Sequence, residues 1–125
     1  MAASTPLPAE ISDNFIHDSV GLATDSANPH VDAIRLLGSD TATANWGNIL
    51  IERNIILQGT ARGDRQVIFL DDMRTQARDS GQFFIANIRQ NLVVINVSVH
   101  GITVIQAKDC KIENNTVVSR NQTSS

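Results

Sequence analysis

The pattern Ile-x-x-Asn-x-[Ile/Val] occurs four times in this chain and constrains its fold more than any other feature. It reads Ile11-Ser12-Asp13-Asn14-Phe15-Ile16, Ile51-Glu52-Arg53-Asn54-Ile55-Ile56, Ile88-Arg89-Gln90-Asn91-Leu92-Val93 and Ile112-Glu113-Asn114-Asn115-Thr116-Val117. The intervals are 40, 37 and 24 residues. A second apolar pattern lies between these segments: Asp32-Ala33-Ile34-Arg35-Leu36, Gln66-Val67-Ile68-Phe69-Leu70 and Thr103-Val104-Ile105-Gln106-Ala107. The last two each begin 12 residues after the preceding repeat asparagine, Asn54 or Asn91. Two patterns recurring in phase point to stacked units that bury a shared core. An antiparallel sandwich is the alternative, since Asn between short strands also occurs in hairpin turns, but a meander has no reason to keep two patterns in phase.

The spacing has a mechanical meaning. The first Ile and the Asn are three apart, so they cannot share a face of one regular strand, where the period is two. A bend of about two residues must separate them. The Asn and the final Ile or Val are two apart and do share a face. Each unit therefore reads as strand, sharp corner, strand, with Ile, Asn and Ile/Val all pointing inward. Stacking then places Asn14, Asn54, Asn91 and Asn115 in one column, where their amides can bond to one another and to corner backbone groups.

Composition agrees with a β architecture and narrows function. Ile and Val dominate the apolar residues, Tyr is absent and aromatics make up only 4%. Such a chain favours strands around an aliphatic core. The net charge of -3 comes without a block of like charges, which argues against nucleic acid as a partner. No apolar run reaches the length of a membrane-spanning helix, and the first ten residues show no signal peptide. The lone cysteine, Cys110, forms no internal disulfide and reads as a small buried residue. Ser and Cys nucleophile motifs, phosphate loops and dinucleotide fingerprints are missing. Sequons at Asn96, Asn114 and Asn121 carry weight only in a eukaryotic secretory chain.

Over residues 11–119 the repeat resembles the right-handed parallel β-helix superfamily, which includes pectate lyases, pectinesterases, alginate lyases and epimerases, and phage tailspikes. The resemblance implies an all-β single-stranded solenoid of three to four coils, each of three short strands, with an asparagine ladder between second and third strands. Residues 1–10 and 120–125 are then tails, the first disordered or left from cloning. Mapped on the sequence, first strands fall near 30–36, 67–70 and 102–107. Second strands fall near 48–51, 84–88 and 110–112, and third strands near 15–17, 54–57, 92–99 and 116–118. Polar excursions leave the coil at about 37–47 and 71–82. Neither end supplies an amphipathic cap for its open strand edges, so the chain reads as a section of a longer β-helix or as one whose ends an oligomer covers.

In pectate-lyase-like proteins the substrate groove runs along the outer face of the first strands, which implies a polysaccharide partner here and an extracellular or cell-surface location. Taking Ile34, Ile68 and Ile105 as inward makes Arg35, Phe69 and Gln106 an outward column, a surface on which Phe69 can stack on a sugar or be covered by the second excursion. The same alignment sets Asp71 beside Lys108 within ion-pair reach. Asp71, Asp72 and Asp109 are the candidate Ca²⁺ ligands, although Ca²⁺ wants six to eight oxygens and Lys108 opposes it. A solvated acidic strand end is the alternative.

The densest polar cluster comes earlier, with Asp13, His17, Asp18 and Asp25 before Asn28-Pro29-His30-Val31-Asp32. His30 and Asp32 are two apart, so an extended segment puts them on one side, as a general acid/base pair requires. Pro29-His30 is similar to part of the Asp-Pro-His-[Asp/Glu] motif of mannuronan C5-epimerases, but Asn28 and Val31 stand where that motif has carboxylates. The catalytic candidates are therefore His30, Asp32 and Arg35, for proton abstraction from a uronic acid. Asp32 shares the inward parity of Ile34, which equally suits a structural role capping backbone N–H groups. Arg74 and Arg78 on the second excursion read as a polar, solvated segment. Two functional expectations follow: a lyase or epimerase acting on an acidic polysaccharide, and a non-catalytic module for glycan binding or tailspike-type surface structure.

Overall fold

The computed structural model describes residues 9–17, 32–37, 46–59, 66–71, 84–96, 100–105 and 109–120. They form eleven strands: β1 (Ala9–Ser12), β2 (Phe15–His17), β3 (Ile34–Leu37), β4 (Trp46–Glu52), β5 (Ile55–Leu57), β6 (Gln66–Asp71), β7 (Phe84–Arg89), β8 (Leu92–Ile95), β9 (His100–Ile105), β10 (Lys111–Glu113) and β11 (Thr116–Ser119). No helix occurs among the described residues. Every third strand joins the same sheet, giving the orders β3-β6-β9, β1-β4-β7-β10 and β2-β5-β8-β11. All the pairings are parallel. This is an all-β parallel solenoid, with three sheets stacked around one core.

The repeat sets the register of two sheets. Ile11, Ile51, Ile88 and Ile112 align across the second sheet. Ile16, Ile56, Val93 and Val117 align across the third. In the middle coils these residues are sealed, with Ile51, Ile88 and Val93 at 0% exposure. Burying each such side chain stabilises the fold by about 1.5–3 kcal/mol. The core cluster is wholly aliphatic, as the composition implies.

The corner between second and third strands is where the bend falls. Asp13, Arg53, Gln90 and Asn114, each just before a repeat asparagine, adopt left-handed backbone with φ of 58, 53, 56 and 55°. None is glycine, so each corner carries a backbone cost of about 1–2 kcal/mol that its surroundings must offset. The asparagine column does so. Asn14 Nδ2 donates to Asn54 Oδ1 at 3.0 Å, Asn54 Nδ2 to Asn91 Oδ1 at 2.9 Å, and Asn91 Nδ2 to Asn115 Oδ1 at 2.9 Å. Each of the same oxygens also accepts the backbone N–H of the preceding asparagine, at 3.1, 3.0 and 3.0 Å. The second amide hydrogen returns to the coil before: Asn54 to Ile11 O, Asn91 to Ile51 O and Asn115 to Ile88 O. Asn54 and Asn91 are thereby buried polar groups whose amides are bonded on both sides.

A second polar tie lies at the far end of the third sheet. Asn96 donates its backbone N–H to Gln58 Oε1 at 2.7 Å and its Nδ2 to Gln58 O at 2.6 Å. At Gly101 in β9 the packing leaves no room for a side chain, because a Cβ would lie 2.7 Å from Val117 Cγ1.

Two expectations need correction. Strand β1 begins at Ala9, so residues 9 and 10 belong to the solenoid and not to a tail. The first sheet's last strand is shifted by three residues from the expected alignment. Ile68 pairs with Ile102, Phe69 with Thr103, Leu70 with Val104 and Asp71 with Ile105. Three is odd, so the shift exchanges the faces of this strand. Ile102 and Val104 pack on the core, whereas Ile105 is 40% exposed. The alignment assumed a constant distance from asparagine to first strand, but the stretch between β8 and β9 is shorter than that between β5 and β6. Of the two excursions, residues 38–45 and 72–82 lie outside the described residues, as do residues 97–99 of the expected third strand at 92–99.

Candidate functional site

On the first sheet, Asp32 precedes β3 with its side chain fully buried. Its Oδ1 accepts the backbone N–H of Gln66, the first residue of β6, at 3.2 Å. Its Oδ2 lies 3.6 Å from Arg35 Nε. Of the two readings open for Asp32, this geometry supports the structural one: the carboxylate clamps one coil to the next. A proton-transfer group needs to reach a substrate, and this one faces inward.

Arg35 neighbours Phe69 across β3 and β6. Its guanidinium carbon stands 5.9 Å from the ring centroid, within range of a cation–π contact. Phe69 is 5% exposed, so its face is not presented as a sugar platform. The column continues to Thr103, not to Gln106. Asp71 pairs with Leu37 on one side and Ile105 on the other. His30, Asp72, Gln106 and Lys108 lie outside the described residues, as do Asp18, Asp25 and Asn28.

For the Ca²⁺ expectation, no group of three or more His, Cys, Asp or Glu among the described residues could hold a metal ion. Asp109 is an exposed corner residue with φ of 55°, and Asp71 lies within the β6 ladder. Asp71 and Asp109 form no such group with other described residues, and Asp72 lies outside them. Burial pushes the Cys110 thiol up, so it persists as a thiol and is a poor nucleophile.

Charge concentrates at the ladder corner. Arg53 forks onto Asp13 through Nε and Nη2, both at 2.7 Å. Its Nη1 also donates to Glu52. Glu52 in turn accepts Arg89 Nε at 2.7 Å. Its neighbours in the outward column are Ser12, Arg89 and, one coil further, Glu113. Arg53 holds the Asp13 carboxyl below its ordinary value. Arg89, with Arg53 adding to it, does the same for Glu52 against the opposing effect of burial. The carboxylates push the Arg53 guanidinium further up. Both carboxylate oxygens of Asp13 and of Glu52 are taken within this network, which ties three coils together along one edge.

The outer face of the second sheet is different. Here a groove of about 360 Å³ is lined by Glu10, Asn48, Leu50, Ile85 and Asn87, with Ala9 and Ile49 beneath. Glu10, Leu50, Asn87 and Lys111 form one outward column. Beside the groove, β4 carries one extra residue between its pairings Trp46–Phe84 and Ile49–Ala86. Asn48 sits in this bulge with φ of 59°, a device that commonly re-aims side chains beside functional sites. Ile85 is 55% exposed at the rim. Asn87 Oδ1 is buried and makes no hydrogen bond within the protein. None of these residues was among the candidates from sequence. The alternation of the second strands contained their outward parity, but the bulge beside them left no residue signature.

No family model, curated protein or solved structure matches the chain.

Proposed function

We propose that this chain is a non-catalytic parallel β-helix module that binds polysaccharide on the outer face of its second sheet. The observation that carries the reading is Asn87 Oδ1, a buried acceptor without a partner in a groove edged by Glu10 and Asn48. A buried unpaired acceptor costs about 1–3 kcal/mol, which turning the amide outward onto a ligand hydroxyl would recover. Leu50 and Ile85 supply the apolar floor and rim on which the C–H face of a sugar can rest. The solenoid's contribution is rigidity, since the asparagine ladder holds β4 and β7 in fixed register and little ordering is required on binding. The architecture also fits the β-helix superfamily that the repeat resembles, with its carbohydrate-directed members.

The lyase or epimerase reading is the weaker one, because Asp32 is buried against a backbone N–H and Arg35 is engaged with Asp32 and Phe69. The test is a glycan array combined with turnover assays on pectin and alginate. The expected result is binding without turnover, reduced about tenfold by Asn87→Ala and also weakened by Ile85→Glu, with the β circular-dichroism signal unchanged. Turnover lost on His30→Ala would restore the catalytic reading. Absence of binding across a broad panel would overturn both.

A further inference from the structure

The two ends of the solenoid differ in a directional way. In each of three steps a ladder asparagine gives its backbone N–H and one Nδ2 hydrogen to the Oδ1 of the asparagine in the next coil. Asn115 is the last member. Its Oδ1 is filled by Asn91 and its Nδ2 reaches Ile88 O, but among the described residues its backbone N–H and second amide hydrogen have no following oxygen. Asn14 is the first member. Its Oδ1 stands at the position that accepts two hydrogens in every later coil and, among the described residues, accepts none here. One end of the ladder thus ends in donors and the other in an acceptor.

The neighbouring columns are matched in the same sense. Lys111 ends the outward column that begins with Glu10. Continuing that register by one coil would set a cation against an anion about 5 Å away. Ile112 and Val117 occupy core positions yet are 52% and 47% exposed, and among the described residues no strand pairs with the far side of β10 or β11. Their counterparts at the other end are Ile11 and Ile16, which are half-buried and pack against the core.

From this complementarity we infer that copies of this chain stack head to tail. Strands β10 and β11 of one copy pair in parallel with β1 and β2 of the next. Asn115 then donates to Asn14 of the following copy, Lys111 pairs with its Glu10, and Ile112 and Val117 are covered by its Ile11 and Ile16. Two of the three sheets run on through the junction. The first sheet has three strands to the others' four, and no described strand fills its place there. Because the contact joins unlike surfaces, it leaves a free end at every step and builds a filament of increasing length, not a closed dimer.

Sedimentation velocity of the full chain over a range of concentrations tests this. The expected result is mass that rises with concentration in steps of one copy. Lys111→Glu and Glu10→Lys should each weaken self-association by about tenfold, and the two changes combined in one chain should restore it. Val117→Asp should abolish it while circular dichroism reports an intact solenoid. A mass fixed at one copy at every concentration overturns the inference. So does a species that stops at two copies, or a charge swap that fails to restore what the single reversals lose. Glycan binding is measured separately in the groove variants, so failure of one proposal leaves the other standing.

Discussion

The third and fourth repeats carry the same inward Ile, Asn and Val and fare very differently. Ile88 and Val93 are at 0% exposure, whereas Ile112 and Val117, at equivalent positions, are 52% and 47% exposed. Asn91 is buried and bonded to asparagines on both sides, whereas Asn115 is bonded on one. The local conformation is unchanged, since Gln90 and Asn114 turn the corner with φ of 56 and 55°. What differs is that β7 and β8 have described strands on both sides and β10 and β11 on one. In a solenoid the local sequence sets the shape of a coil, and the neighbours set how much that coil contributes to stability.

The widest separation between the two repeats should appear in the core. Ile88→Ala is expected to cost about 4 kcal/mol, as cavity-forming substitutions in a sealed core do. Ile112→Ala should cost about 1 kcal/mol, since much of that side chain is already in water. Urea denaturation of the two variants measures the gap, and equal losses would show that the last coil is covered in solution. If copies stack as inferred, the Ile112 cost should grow with protein concentration and the Ile88 cost should not.

The ladder should show the same contrast on a smaller scale. Asn91→Ala leaves the Asn54 backbone N–H, the Asn54 amide and Ile51 O short of partners, for a loss of about 3 kcal/mol. Asn115→Ala strands the Asn91 N–H and amide nearer to solvent, for about 1 kcal/mol. Thermal unfolding of both variants checks the ordering.

The smallest effect is electrostatic and belongs to the coils before these two. Asp13 and Glu52 have carboxyl groups held below their ordinary values by Arg53 and Arg89. Such groups add stability that is fully present above the ordinary carboxylate range and is lost as pH falls through the lowered folded values. Arg53→Met removes the partner of Asp13 and one of the two partners of Glu52. The variant should therefore lose stability less steeply on acidification, and added salt should narrow its difference from the parent protein. A parallel acid limb in the two proteins would show that the network contributes nothing measurable.

The corner was legible because its two requirements are written in residue types. An Ile three before an Asn and an Ile or Val two after it demanded a bend and a shared inward face, and Arg53-Asn54 and Gln90-Asn91 supply both. The first sheet was less legible. Its apolar run from His100 to Ala107 admits either parity, and only pairing with β6 selects Ile102 over Ile105 as the inward residue. The site expectations suffered from that choice, since the column Arg35, Phe69, Gln106 depended on it. The groove was not legible at all. Glu10, Leu50 and Asn87 are 77 residues apart at the extremes, and the extra residue in β4 looks like any other strand residue.

The repeat carried the solenoid, its aliphatic core and its asparagine column, because two apolar patterns in phase, broken at a fixed three-residue interval, favour stacked coils over a meander. Tertiary structure decided the rest. It set which face of β9 turns inward, placed Asp32 against a backbone N–H of the next coil, set the groove beside Asn48 and left Ile112 and Val117 uncovered. The physical reason is common to all four: each depends on what lies one coil away, some 24 to 43 residues along the chain, where connections of varying length remove any fixed relation between sequence spacing and spatial register.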